Sequence, residues 1–120
     1  MTIYLAAPWK RKPDARVARL AFMRANISVL AAWIDQHHDT QALNELCAHA
    51  LKDLEQIELA DAFVLLSLQL SEGKASELMW AYSHNKPIVV VGDPSSNVFN
   101  YLPGIRRVAT VEEAIDALHS

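Results

Sequence analysis

The chain has 120 residues, of which 52% are hydrophobic, with a formal net charge of −3 and a single cysteine, Cys47. That length makes one domain, residues 1–120, with room for a real core. No stretch reaches the roughly 18–20 apolar residues that span a bilayer, the acidic balance argues against a nucleic-acid backbone as partner, and one cysteine excludes an internal disulfide or a cysteine-rich metal site and fits a reducing cytoplasm.

The opening residues carry no basic leader before their apolar run, so Ile3 to Ala7 reads as a first strand and not as a signal peptide. Trp9-Lys10-Arg11-Lys12-Pro13-Asp14 is a basic loop, and Asp14 is the expected N-cap of a helix that carries Val17, Leu20 and Ala21 to about Ala25. Ile27 to Ile34 reads as strand two, and Asp35 to Asp39 as a polar loop. Thr40 to about Leu59 has apolar residues at 43, 46, 47, 50, 51, 54 and 57, a helical spacing. Ala62 to Ser67 and Ile88 to Gly92 are almost continuously apolar, as strands buried on both faces of a parallel sheet are. Between them Lys74 to His84 is helical, and Asn85-Lys86-Pro87 stops it. A turn-rich loop from Asp93 to Pro103, a short strand from Ile105 to Ala109, and a helix opened by the capping box Thr110-Val-Glu-Glu113 complete the chain. The alternation predicts a single-domain α/β fold, a Rossmann-like or flavodoxin-like three-layer sandwich on a five-stranded parallel sheet.

In such a sheet ligands bind outside the carboxyl ends of the strands. Ser71-Glu-Gly-Lys-Ala-Ser-Glu77 follows an apolar strand, so Glu77 is expected at that edge, in the first turn of a helix. A glutamate there commonly just offsets the helix dipole. The small residues Ser71, Gly73, Ala75 and Ser76 before it would let a ligand approach the backbone. With a second acid, Asp53, on a helix returning toward the sheet, Glu77 has what a nucleophilic carboxylate needs. The segment is neither a Walker loop nor a GxGxxG turn. His37-His38-Asp39 is not read as a metal site, because adjacent side chains diverge and no further ligands accompany them. Trp33 and Trp80 read as core or interface residues, and Lys10 to Lys12 as a charge run able to attract an anion.

Taken in order, Ile3-Tyr-Leu-Ala-Ala7, Asp53-Leu-Glu55, Ala60-Asp61, Ser71-x-Gly73-x-Ala75-x-Glu77 and Asn85-Lys-Pro-Ile-Val89 resemble the nucleoside 2-deoxyribosyltransferase family, including its branch of 2'-deoxynucleoside 5'-phosphate N-glycosidases. The resemblance covers most of the chain. It implies that Glu77 attacks C1' to form a glycosyl ester, that Asp53 is the acid near the sugar and leaving base, and that Tyr4 orients the nucleophile. It implies a substrate-binding role for Ser71, at the position where the phosphate-recognising hydrolases carry serine, with Gly73 beside it. The late loop (Ser95, Ser96, Asn97) would reach into a neighbouring subunit's site. The first loop, Ala6-Ala7-Pro8-Trp9, departs from the glycine- and serine-rich loop of the phosphate-binding branch, and Lys10 and Arg11 would supply the charge there.

The expected substrate is a small nucleoside or nucleotide, with no metal, no cofactor, no nucleic acid and no membrane involved. Hydrolase and transferase both remain open. So do a non-catalytic nucleotide sensor and a glycohydrolase of NAD-type dinucleotides. A homodimer or higher homo-oligomer is expected, both from the resemblance and because Val98, Phe99, Tyr101 and Leu102 would be costly to leave in water.

Overall fold

The computed structural model describes residues 1–36, 42–69, 71–93 and 97–120. Among these residues five parallel strands form one sheet: β1 (Thr2–Ala6), β2 (Ser28–Leu30), β3 (Ala62–Ser67), β4 (Ile88–Gly92) and β5 (Arg106–Val108), in the order β2-β1-β3-β4-β5. The helices are α1 (Lys12–Arg24), α2 (Leu43–Leu59), α3 (Glu72–Ser83) and α4 (Val111–His119). α1 packs with α4, and α2 packs with α3, giving the expected three-layer α/β sandwich. β1, β3 and β4 are buried along almost their whole length, which is why their sequences do not alternate. No helix among the described residues is long and apolar enough to cross a membrane.

Several boundaries differ from the sequence expectation. The second strand is only three residues long, because the chain leaves the sheet after Leu30 and turns through a 3-10 segment, Ala32–Asp35. Side chains stabilise that departure. The Ala32 amide donates to Gln56 Oε1 at 3.0 Å, and the Trp33 indole N–H donates to the Leu5 carbonyl at 2.8 Å. From α1, Lys12 Nζ reaches the Gln36 carbonyl, and Arg19 pairs with Asp35 at 2.9 Å.

α1 begins at Lys12, with Pro13 in its first turn, and a 3-10 turn at Trp9–Arg11 precedes it. Asp14 is therefore inside the helix and not its cap, and its carboxylate accepts from Arg11 Nε at 2.8 Å. The face that α1 buries is Ala15, Ala18 and Phe22, while Val17 and Leu20 are exposed. Small side chains let the helix lie close to the sheet, and Phe22 fills the space at its far end. Asn26 in the left-handed region ends the segment.

α2 likewise buries less than its pattern suggests. Gln56 and Ile57 are buried, while Leu43, Leu46, Cys47, Ala50 and Leu51 are exposed, so only its second half packs on the domain. The expected start at Thr40 lies outside the described residues.

Gly92 ends β4 with φ +101, and a Cβ there would stand 3.0 Å from the Ser67 carbonyl oxygen on the neighbouring strand. Gly92→Ala is expected to cost about 1–3 kcal/mol, measurable by chemical denaturation. Thr110 caps α4 as expected, its Oγ1 accepting from the Glu113 amide at 3.1 Å.

Candidate active site

Ser71 is the N-cap of α3, and its hydroxyl accepts from the Lys74 amide at 3.4 Å. The helix therefore starts two residues earlier than its apolar pattern suggests, and Glu72, not Glu77, is the opening carboxylate. Glu77 is the sixth residue of the helix, about 7–8 Å along its axis from the first at 1.5 Å per residue. It sits below the rim of the sheet, not on it. This depth brings it near Tyr4, which lies mid-way along β1 in register with Leu30 and Phe63. A glutamate this far into a helix no longer serves the dipole, which acts on the first turn.

Glu77 is buried, at 8% exposure, and it makes an ion pair with Lys74, whose Nζ is 2.6 Å from Oε1. The other oxygen, Oε2, is buried and has no hydrogen-bond partner among the described residues. Tyr4 is fully buried, its ring stacked on Phe63 with centroids 5.7 Å apart. Burial raises the pKa of its phenol far above the ordinary tyrosine value, and the charges of Glu77 and Asp53 raise it further. The phenol oxygen makes no well-formed hydrogen bond among the described residues, yet it lies close enough to the Glu77 carboxylate for their interaction to hold its proton on.

Asp53 reaches the same place from α2. Its Oδ1 is buried without a hydrogen-bond partner among the described residues. Its pKa is raised from 3.8 to about 6, first by burial and then by the charge of Glu77, with Lys74 opposing. Tyr4, Asp53 and Glu77, chosen from sequence, therefore meet in one cluster. Two carboxyl groups share it under unequal conditions: one is paired with an ammonium, the other is poised to hold a proton near neutral pH. Separation of that kind is how a site comes to contain both an acid and a base.

The fold is that of the 2-deoxyribosyltransferases. A 2-deoxyribosyltransferase from Bacillus psychrosaccharolyticus superposes with a TM-score of 0.76 at 18% identity, over 97% of this chain and 91% of that one. A CMP N-glycosidase of Clostridium botulinum superposes with a TM-score of 0.63 at 16% identity, over 99% of this chain and 98% of that one. No protein-family model and no curated protein matches the sequence.

On this deoxyribosyltransferase-like fold the other expected residues are more scattered. Ser71 and Asn97 line one cavity of about 260 Å³ with Pro8, Ser67, Lys74 and Phe99, at the carboxyl edge of the sheet. Asn97 also caps the 3-10 turn Val98–Tyr101, accepting from the Phe99 amide at 3.0 Å. Ala6 ends β1 and is fully buried. Gly73 is inside α3 with open space where a Cβ would be, so packing does not require glycine there. Trp9 is 39% exposed, with Lys12 Nζ 3.5 Å from its ring centroid, and Lys10 is exposed. Ser95 and Ser96 lie outside the described residues, as do His37, His38 and Asp39.

A larger cavity, about 640 Å³, lies among Met1, Ala62, Pro87, Ile105 and Arg106. It is at the amino ends of the strands, away from the carboxyl cluster; the smaller cavity, at the carboxyl edge, shares Lys74 with that cluster, but Tyr4, Asp53 and Glu77 do not line it. Two residues of the site carried no sequence assignment to it. Lys74 was legible in principle, since i and i+3 share a helix face. Trp33, buried at 2% exposure, presents its ring to Lys74 Nζ at 4.7 Å, and nothing in its local sequence marks that contact.

Proposed function

We propose that this chain cleaves or transfers the N-glycosidic bond of a 2'-deoxyribonucleoside or its 5'-monophosphate through a glycosyl ester on Glu77. The observation that carries the reading is the unequal carboxyl pair: Glu77 ion-paired at 2.6 Å with Lys74, and Asp53 with a pKa of about 6. An oxocarbenium-like transition state needs a carboxylate at C1' and a proton for the departing base, and the pair can supply both. Tyr4, kept protonated, orients the Glu77 carboxylate. The folds of a 2-deoxyribosyltransferase and a CMP N-glycosidase support the same reaction class. Ser71, Gly73, Trp9, Lys10, Asn97 and Ser95 are the proposed substrate contacts; Ala6, also expected from sequence, is fully buried and offers a ligand no surface.

The test is chromatographic. Deoxynucleosides and their 5'-monophosphates are incubated with the protein, with and without an acceptor base, and free base is measured. Turnover without acceptor marks a hydrolase, and turnover that requires one marks a transferase. Saturable binding with no base released from any member would replace this reading with a nucleotide sensor. Release of nicotinamide from NAD in place of base from deoxynucleotides would make it a dinucleotide glycohydrolase.

A homo-oligomer also follows from this reading. Val98, Phe99 and Tyr101 are 77%, 47% and 49% exposed, beside the cavity that Asn97 and Phe99 line. Val98→Asp with Phe99→Asp is expected to shift the protein from oligomer to monomer in sedimentation velocity. A wild type that sediments as a monomer throughout a micromolar concentration series would overturn it.

A further inference from the structure

Lys74 stands one helical turn before Glu77, and both side chains are almost nine-tenths buried, at 12% and 11% exposure. Its ammonium touches Oε1 of Glu77 at 2.6 Å and lies over the Trp33 ring, 4.7 Å from the centroid. That ring is itself fixed by the hydrogen bond from its indole N–H to the Leu5 carbonyl. A chain of contacts thus runs from the β1 backbone through Trp33 and Lys74 to one oxygen of the carboxylate. The other oxygen, Oε2, is buried without a well-formed hydrogen bond among the described residues, and the neutral Tyr4 phenol, not a charge, is what lies near the carboxylate besides Lys74 and Asp53. The two oxygens are chemically unequal before any substrate arrives. An oxygen in a short charge-assisted contact has its lone pairs and charge engaged, and is the poorer nucleophile.

We propose that Lys74 is a positioning residue that divides the work of the Glu77 oxygens: Oε2 attacks C1', and Oε1, held by the ammonium, becomes the ester carbonyl. This rests on the reading of Glu77 as nucleophile. In the first step Oε2 forms a bond to C1' as the C1'–N bond breaks. The electron pair stays on the base nitrogen, which takes the proton of Asp53. In the second step water bonds to C1' and gives a proton to the Asp53 carboxylate. The C1'–Oε2 bond breaks, and its electron pair returns to Glu77. Negative charge leaves the carboxylate in the first step and reappears in the second. A fixed ammonium beside Oε1 therefore assists the second step more than the first.

The experiment is rapid-quench base release combined with intact-protein mass spectrometry. The substrates are the four common 2'-deoxynucleosides and their 5'-monophosphates, in water without an acceptor base. Wild type, Lys74→Met, Lys74→Gln, Lys74→Arg and Glu77→Gln are compared, each checked for folding by circular dichroism. Lys74→Met is expected to release a burst approaching one base per site and to gain the mass of one sugar residue. It then turns over about 100-fold more slowly than wild type, the scale for losing one preorganised donor to developing charge. Lys74→Arg, which keeps the charge, is expected to recover activity to within about tenfold of wild type. Lys74→Gln, which keeps a donor and loses the charge, also accumulates the adduct, and it carries the comparison if the Met variant does not fold.

A merely structural role would lower burst and steady state together and leave no adduct. That result, or wild-type turnover in Lys74→Met, overturns the role of Lys74 while an inactive Glu77→Gln leaves the nucleophile standing. Undiminished release by Glu77→Gln, or no release by wild type from any substrate with or without an added acceptor base, overturns both.

Discussion

Glu77→Gln is expected to lower the rate of base release by at least about 10⁴-fold, the scale on which loss of a covalent nucleophile is felt. The substitution keeps the shape of the side chain and a carbonyl oxygen able to accept from Lys74. It removes the charge and the nucleophilic oxygen. The Lys74 ammonium, 2.6 Å away in the wild type, then loses its counter-ion in a poorly hydrated place. A destabilisation of about 1–3 kcal/mol should accompany the change, the range for weakening a buried charge-assisted contact without emptying the site. Thermal denaturation separates the two effects: a folded, slightly less stable and inactive protein is the expected outcome. Base release within a few-fold of wild type from a folded Glu77→Gln would show that C1' is not attacked by this residue.

The residues of this site were more legible than their placement. Glu77 and Asp53 stood out as carboxylates near a sheet edge, and with Tyr4 they converge in the structure. Their surroundings did not follow from local pattern. Ser71 caps α3, which turns the expected loop into the first turn of the helix and carries Glu77 deeper. A capping serine and a turn serine read alike until the amide it accepts is known. Ile27 to Ile34 is apolar enough for a strand, yet Gln56 and the Trp33 indole draw the chain out of the sheet after Leu30. Both partners lie far away in sequence, so no local window contains the reason.

The core strands are the opposite case. Ala62–Ser67 and Ile88–Gly92 match the sequence expectation because burial on both faces leaves a continuous apolar run. The apolar period marks where the helices lie but not the faces they bury. In α1 the closest packing falls to Ala15 and Ala18, and the larger Val17 and Leu20 point outward. Periodicity measures where apolar residues recur, not which of two adjacent stripes the sheet can admit.

Asp53→Asn is expected to reduce activity and to raise stability at neutral pH, and the two effects have one origin. Burial and the charge of Glu77 raise the Asp53 pKa from 3.8 to about 6, while Lys74 of α3 opposes them and Tyr4 of β1 shares the site. In the unfolded chain Asp53 ionises near 3.8. Between that value and about 6 the folded protein holds a proton that the unfolded chain has released, so stability falls as pH rises through this window. Above it the ionised carboxylate destabilises the fold, by a margin that partial solvent screening reduces, and below it the cost is absent. Asparagine never carries the charge. The variant should therefore unfold at higher temperature than wild type at pH 8, with the difference shrinking as pH falls and vanishing in acid below the unfolded value.

On the proposed function, the same raised pKa suits Asp53 to donate a proton to the leaving base. Loss of a general acid costs about 10²–10⁴-fold in rate. The wild-type kcat/KM should fall on the alkaline side with a midpoint near 6, the pKa of the free protein's acid, and the asparagine variant should lose that limb. A variant less stable than wild type at pH 8 would refute the desolvation argument. A wild-type profile flat between pH 5 and 8 would remove Asp53 from the role of acid even if Glu77 proved essential. A more stable and slower Asp53→Asn would identify the buried carboxylate as strain the fold retains for chemistry.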